Sequence, residues 1–391
     1  MRPVPGRSPA ATAREHRTTD ILPGTFLLTA AAVVMAPVHT YIMDMEKIDI
    51  KNLSLKELGV ALRELGMPAY NARQIFEWLY KKRATGFDQM TNISKQLRTV
   101  LAERFRIPVL TMNRKQAGSD RTEKYQFVLG DGAAIESVLI PMGKWYTLCV
   151  STQVGCAMGC TFCLTGIKGF KRNLTVSEIT GQLAAVQAEN PGIPVSHLVF
   201  MGMGEPFANE DATLKAIEIL TSKEGYHYSS HRITVSTAGL VPQIRRFITE
   251  SKVNLAVSLN ALYDDTRTAL MPINATYPIG ELMAALKDYH NHRRGITTFE
   301  YVMIKGVNDG IAHAIQLAKM LKHFPFKVNL IPFNEHRGTD YERPDEENVI
   351  AFQTYLQNHT IACTVRTTHG EEIEAACGQL GGQTIAKEDS Q

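Results

Sequence analysis

Three cysteines crowd into eight residues of this 391-residue chain, in the run Cys156-Ala-Met-Gly-Cys160-Thr-Phe-Cys163. Thiolates are soft ligands that suit iron–sulfur clusters. A cubane cluster has four irons, so three cysteines leave one iron open to a ligand from outside the protein. A structural zinc site normally takes four protein ligands, and the loop holds no further Cys or His to complete one. The spacing therefore points to a cluster rather than to a structural ion. The other cysteines are Cys149, Cys363 and Cys377. Three of six packed so tightly do not make a disulfide framework, and in a chain this long metal binding or catalysis is the better reading. A reducing cytosol follows as an inference.

A cluster loop needs a rigid frame, and the pattern after residue 150 supplies one. Candidate strands are Leu198–Met201, Ile233–Ser236, Leu255–Leu259, Phe299–Ile304, Val328–Ile331 and Cys363–Arg366. Helical stretches Thr175–Glu189, Ala212–Thr221, Ile279–His290 and Ala312–Leu321 lie between them, the first opened by Thr175-Val-Ser-Glu178 at capping-box spacing. Strands separated by helices imply a parallel sheet with right-handed crossovers. About six such units predict an α/β fold, a partial (β/α)6 barrel. Polar residues gather just after the strands at Gly204-Glu205, Ser236-Thr237, Ser258, Asn260 and Asn334, the rim where barrel chemistry sits.

Upstream, residues 46–108 read as a small helical domain. Leu53, Leu55, Leu58, Leu62 and Leu65 recur near the helical period, Gly66-Met67-Pro68 breaks the pattern, and Ala72 to Arg83 resumes it. From Arg73 to Arg106 eight Lys/Arg face three Asp/Glu, a local net charge of +5. That suits either a solvated surface or a phosphate-contacting module. Residues 109–150 read as a β-rich connector, with a hairpin turn at Gly130-Asp131-Gly132.

The motifs resemble a known family. Cys-x3-Cys-x2-Cys, with Phe162 before the last cysteine, is similar to the radical S-adenosylmethionine (SAM) superfamily. Gly155-Cys-Ala-Met-Gly-Cys160-Thr-Phe-Cys163, Met201-Gly-Met-Gly-Glu205-Pro206, Leu270-Met-Pro-Ile-Asn274, Glu300-Tyr-Val-Met303, Gly306-Val-Asn-Asp309 and Ala375-Ala-Cys377-Gly-Gln-Leu380 resemble, in order, the RlmN/Cfr family of RNA adenine methyltransferases. The likeness runs from about residue 46 to 383. The resemblance implies a radical SAM partial barrel over 151–383 that ends in a catalytic loop, with a tail at 384–391. It implies a [4Fe-4S] cluster on Cys156, Cys160 and Cys163, and SAM contacts at Gly204, Glu205, Ser236, Ser258, Leu259, Asn260 and Asn334. Members of the family often have His where this chain has Asn260.

The same resemblance makes Cys377 the cysteine methylated on sulfur, Cys149 a second catalytic cysteine and Glu136 an acid/base. C2 of adenine is an electron-poor carbon that resists polar methylation. The implied route spends one SAM on Cys377 and a second on a 5′-deoxyadenosyl radical. That radical abstracts hydrogen from the S-methyl group, and the resulting carbon radical adds to C2. Cys149 then releases the product. Glu136 and Cys149 are both open as the group that takes the C2 proton. The implied substrates are an adenosine in 23S rRNA and the adenosine beside the anticodon of some tRNAs, docked by the basic 73–106 region. A reducing electron donor of unstated identity is also required.

Bulk properties agree without demanding this. The chain is 44% hydrophobic and 21% charged, with a formal net charge of +3, which permits a nucleic-acid partner. The first 45 residues differ from the rest. Met1 to Thr19 is rich in Arg, Pro and Ala, and Ile21 to Ile42 carries no charged side chain. Basic residues before an apolar run raise a signal peptide or a membrane span. Pro23, Gly24 and Pro37 weaken the helix, and export would part a cluster enzyme from its cofactors. The expectation is a dispensable extension with the working protein starting near Met43 or Met45, no membrane partner, a cytoplasmic location and a monomer. The competing readings are an adenine-C8 radical methylase with the same cysteines and a non-enzymatic zinc-containing RNA-binding protein.

Overall fold

The computed structural model describes residues 47–293, 296–322 and 326–382; the expectations for the first 45 residues and for the 384–391 tail lie outside these. Ten strands form one sheet in strict chain order: β1 (Thr111–Ala117), β2 (Glu123–Val128), β3 (Ala134–Met142), β4 (Trp145–Cys149), β5 (Val195–Phe200), β6 (Ile233–Thr237), β7 (Asn254–Ser258), β8 (Thr297–Met303), β9 (Phe326–Pro332) and β10 (Ala362–Val365). The first four are an antiparallel meander. From β4 onward every pairing is parallel.

Nine helices of ten or more residues complete the described fold. Three precede the sheet: α1 (Leu55–Glu64), α2 (Tyr70–Tyr80) and α3 (Lys95–Arg104). Six fill the crossovers from β4 to β10: α4 (Val176–Glu189), α5 (Glu210–Thr221), α6 (Val241–Glu250), α7 (Ile279–Arg293), α8 (Ile311–Leu321) and α9 (Glu346–Asn358). Parallel neighbours require such crossovers, and six of them make the partial (β/α)6 fold that the sequence predicts. Two details differ from the sequence reading. The sheet runs unbroken through residue 150, because β4 pairs with connector strand β3 on one side and barrel strand β5 on the other. Helices α6 and α9 were not anticipated.

Local chemistry explains the boundaries. Ser54 and Glu57 form a reciprocal capping box on α1, and Thr175 and Glu178 form one on α4. Asp131 Oδ1 accepts from Ala133 N at 3.1 Å inside the β2–β3 turn, where Gly132 takes φ +80°. The N-terminal helices pack on the outer helix layer. Asn52 Oδ1 accepts from Ser177 N at 2.8 Å, Lys215 pairs with Glu57 at 2.7 Å, and the Tyr80 and Tyr226 rings lie 5.4 Å apart. The apolar core is continuous from Ile50 and Leu58 through Phe200, Val235 and Leu255 to Phe352. No described helix is long and apolar enough to cross a membrane.

Candidate active site

The site lies where the parallel strands end. After Cys149 closes β4, the chain forms a short antiparallel hairpin, Gln153–Gly155 with Phe170–Asn173, that clamps both ends of the cysteine loop. Cys156 N donates to Gly169 O at 3.0 Å and Cys163 N to Cys160 O at 3.2 Å. Gly155 must be glycine: its φ is +75°, and a Cβ there would sit 1.9 Å from Gly169 O. Cys163 caps the short helix Leu164–Ile167. Beneath the loop, a Cβ on Gly166 would press to 3.0 Å of Cys160 N.

The donor set fits a cluster. Burial and crowding push the Cys156 thiol up to about 12 and the Cys160 thiol well above its ordinary range. Cys163 and Glu205 add negative charge beside them. Such thiols become thiolates only beside strong positive charge, which bound iron supplies. Among the described residues no three His, Cys, Asp or Glu side chains converge on a single metal ion. In a cluster each of the three cysteines would bind a different iron.

Glu205 follows β5 at the same rim. Its Oε2 accepts from Ala238 N at 2.7 Å, its Oε1 from Phe207 N at 3.0 Å, and its own N–H donates to Gln153 Oε1 at 2.8 Å. Burial raises its carboxyl to about 7. Gly204 allows this approach with φ +100°, where a Cβ would meet Gln153 Cβ at 2.5 Å. Ser236, next to last in β6, and Ser258, which ends β7, are half-buried. The stretch Ser258-Leu259-Asn260 is fixed from below by Arg267, which is wholly buried and donates to Ser258 O, Leu259 O and Ala238 O at 3.1, 3.0 and 2.7 Å. Asn260 holds φ +55°, a region Asn tolerates better than most residues. Its side chain is engaged within the protein, accepting from Val302 N at 2.8 Å and pointing Nδ2 at Met271 Sδ.

The C-terminal segment folds back over this rim. Leu164 N donates to Gly378 O at 2.8 Å, Thr165 Oγ1 to Leu380 O at 2.5 Å, and Lys168 Nζ to Gly381 O at 3.1 Å, all from just after the cluster loop. Asn334 Nδ2 donates to Cys377 O at 3.1 Å, and Thr368 Oγ1 in turn donates to Asn334 Oδ1. As a result Cys149, Cys163, Asn334 and Cys377 line one cavity of about 760 Å³ inside the sheet. Burial, and then the neighbouring Cys377, push Cys149 up to about 12. Cys377 presents its surface to the cavity, and its thiol is likewise raised by its surroundings. Cys363 is buried in β10.

Glu136 stands apart from this group. It opens on a smaller pocket of about 240 Å³ with Arg114, Lys124 and Lys168. Its Oε2 accepts from Gly381 N at 3.0 Å and Gly382 N at 3.2 Å. In this arrangement it anchors the segment that carries Cys377. The sequence reading also passed over Arg267, Glu300 and Arg366. The signal for Glu300 was a lone carboxylate in the otherwise apolar run Phe299-Glu-Tyr-Val-Met303, since a doubly covered parallel strand reads as nearly all hydrophobic.

Residues 150–318 match the profile of the Radical SAM superfamily, and residues 48–107 match the Ribosomal RNA large subunit methyltransferase N-terminal domain. The dual-specificity RNA methyltransferase RlmN of Geotalea uraniireducens is 46% identical over 339 residues, which cover 87% of this chain and 98% of that protein. The Geobacter sulfurreducens RlmN is 46% identical over 343 residues, covering 88% of this chain and 94% of that one. This chain belongs to the RlmN family. A crystal structure of a radical SAM methyltransferase from Sphaerobacter thermophilus superimposes with a TM-score of 0.82 at 44% identity, over 86% of this chain and 100% of that one. An RlmN-type enzyme is a radical SAM protein, with a [4Fe-4S] cluster and SAM as its cofactors. Within the RlmN frame the matched N-terminal domain is the α1–α3 module, and the Radical SAM match begins just after β4.

Proposed function

We propose that this chain is a radical SAM methyltransferase that methylates C2 of adenosine in 23S rRNA and in tRNA by way of a methylated Cys377. The observation that carries the reading is the placement of Cys377, whose following residues Gly378 and Leu380 accept from Leu164 N and Thr165 Oγ1 of the helix capped by Cys163. Cys156, Cys160 and Cys163 would hold the cluster, which with SAM bound supplies one-electron cleavage of the SAM sulfonium. All other steps fall to the chain. Glu205 fixes the rim loops through Ala238 and Phe207 and keeps lone pairs free for the SAM ammonium group. Ser236, Ser258 and the backbone at Leu259 and Asn260 border the SAM pocket, with Arg267 holding the Ser258 and Leu259 carbonyls and Asn308 Nδ2 the Asn260 carbonyl.

Asn334 sets the height of Cys377 by binding its carbonyl. Cys377 receives a methyl group on sulfur and gives up its thiol proton. Loss of a hydrogen atom from that S-methyl group would leave a methylene radical that bonds to C2. The adduct would return one electron to the oxidised cluster and give its C2 proton to a base. Cys149 would then attack the Cys377 sulfur, forming a disulfide as the S–CH2 bond breaks and the freed carbon takes a proton to become the methyl group on the RNA. A high thiol pKa keeps Cys149 protonated and unreactive until a base takes its proton. The basic helical module recruits RNA through its phosphates, and the target base leaves its stack to reach the cavity. The enzyme works as a cytoplasmic monomer and draws electrons from a separate one-electron donor.

The test is reconstitution with iron, sulfide, SAM, a reductant and unmodified 23S rRNA or tRNA, followed by mass spectrometry of the nucleosides. The expected product is 2-methyladenosine. 8-methyladenosine would instead assign the C8 reaction, and unmodified RNA from a SAM-cleaving protein would refute RNA as substrate.

A further inference from the structure

The barrel interior carries polar groups that the account above does not use. Barrel centres are usually filled by branched apolar side chains. Here Glu300, Asn329 and Thr364 stand opposite one another on β8, β9 and β10. They form a one-way ladder: Thr364 Oγ1 donates to Asn329 Oδ1 at 2.7 Å, and Asn329 Nδ2 donates to Glu300 Oε1 at 3.0 Å. The ladder ends on Glu300 Oε2, a buried carboxylate oxygen with no hydrogen-bond partner, on a residue only 5% exposed. In the same cavity Arg366 leaves its Nε without a partner, while its backbone N–H is fixed to Leu330 O at 2.8 Å. Glu300 and Arg366 both line the cavity that holds Cys149 and Cys377. Glu300 also pairs in register with Ser258 at the rim.

Two such orphans in one native cavity call for an explanation, because a buried polar atom without a partner costs about 1–3 kcal/mol. Their chemistry is complementary. The carboxylate oxygen needs an N–H or O–H donor, and the guanidinium N–H needs an acceptor. A neutral ligand that presents both along one edge would satisfy the pair without adding charge. Adenine does so, with its 6-amino group as donor and a ring nitrogen as acceptor.

We propose that Glu300 and Arg366 form an acceptor–donor pair that binds the edge of an adenine nucleoside inside the barrel. The ligand is either the adenosyl group of SAM or the target adenosine of the RNA, and the pair positions it relative to Cys377. This rests on the function proposed above only for the RNA source; the SAM source needs the family's cofactor alone. If the RNA base is the ligand, the Arg366 N–H at a ring nitrogen next to C2 also draws electron density from that carbon and favours addition there.

The experiment uses cluster-loaded full-length protein and the variants Glu300→Gln, Arg366→Met and Arg366→Lys, with iron content and circular dichroism confirming intact fold and loading. Equilibrium binding of SAM is measured first. Methyl loading of Cys377 by mass spectrometry follows, and then single-turnover methylation of RNA carrying adenosine, or inosine in its place, at the target. Inosine lacks the 6-amino group but keeps C2–H. Loss of SAM affinity by about tenfold or more in Glu300→Gln and Arg366→Met assigns the pair to the SAM adenosyl group. Unchanged SAM affinity and Cys377 methylation, with the wild-type preference for adenosine over inosine collapsing by about tenfold in Glu300→Gln, assigns it to the RNA base. Partial recovery in Arg366→Lys supports a donor role in either case. The proposal is overturned if SAM affinity, methyl loading and base preference all match wild type in both Glu300→Gln and Arg366→Met. A wild-type protein that binds SAM but never methylates RNA would refute the proposed function, while the SAM-binding comparison would still decide for or against the pair.

Discussion

Removing the Glu136 carboxylate should loosen the segment that carries Cys377 before it affects any chemistry. Glu136 is buried on β3, and one of its oxygens accepts both the Gly381 and the Gly382 N–H, at 3.0 and 3.2 Å. Hydrogen bonds to a charged group contribute about 1.5–3 kcal/mol each. The two bonds share one oxygen, and other anchors remain at Leu164, Thr165, Lys168 and Asn334. A loss near the low end, about 2 kcal/mol for the pair in Glu136→Ala, is therefore expected. That corresponds to roughly a thirtyfold rise in local opening. Native-state hydrogen exchange reads this directly, as faster exchange at Gly381 and Gly382 with strands β5 to β8 unchanged. Methyl loading of Cys377 should slow in parallel, and Glu136→Gln should fall between the two. Unchanged protection at Gly381 and Gly382, together with abolished RNA methylation, would refute the anchoring role and leave Glu136 as an acid/base acting on the substrate alone.

Three further outcomes follow from the same arrangement. Cys156→Ala, Cys160→Ala and Cys163→Ala should each lose most bound iron and all SAM cleavage, as read by iron assay and 5′-deoxyadenosine yield; full iron in any of them would contradict the cluster assignment. Reversing Lys81, Lys82 and Arg83 to Glu, three exposed cations at the end of α2, should weaken RNA binding and flatten its salt dependence. SAM cleavage without RNA should stay intact, and unchanged RNA affinity would place docking elsewhere. Lys51 is buried with its Nζ on Pro108 O at 3.3 Å, and desolvation lowers its pKa to about 8. Between pH 8 and the ordinary lysine range the unfolded chain holds the extra proton, so this residue makes folding more favourable as pH rises. Lys51→Met should stabilise the protein at pH 7 by about 1–3 kcal/mol and remove that rise. Parallel wild-type and variant melting curves between pH 8 and 10 would show that the lysine is not destabilised.

Much of the frame was legible because the signals were local. All six predicted strands lie within three residues of the observed ones, since apolar β-branched runs ending in polar residues mark barrel strands clearly. Helix α6 escaped because Pro242 near its start reads as a break, although Pro is favoured in a first helical turn. The role of β4 as the first parallel strand was hidden for a different reason. Its partner β5 begins 46 residues after β4 ends, with Tyr146 in register with Val195 and the whole of α4 between, and no local pattern records that pairing.

The site divides in the same way. Cys156, Cys160 and Cys163, the proposed cluster ligands, announce themselves by spacing. Cys149 and Cys377 do not, because 228 positions separate them in the chain and only the fold-back of Gly378 to Gly381 onto the cluster helix brings them to one cavity. Glu136 carries a conspicuous charge in a strand, yet its contact with two C-terminal glycine amides is a tertiary fact. Arg267 looks like an ordinary surface arginine in Asp264–Leu270, and only its complete burial and its bonds to the Ser258 and Leu259 carbonyls reveal that it fixes this rim.

The central claim is that Cys377 carries the methyl group to RNA and Cys149 releases it. The most direct measurement is a denaturing gel of the cluster-loaded Cys149→Ala variant after turnover with labelled RNA. Cys377 in that variant can still be methylated and can still bond to C2, but nothing resolves the link. The account predicts a covalent protein–RNA band that disappears in the Cys149→Ala, Cys377→Ala double variant. A Cys377→Ala protein that methylates RNA at the wild-type rate would contradict it.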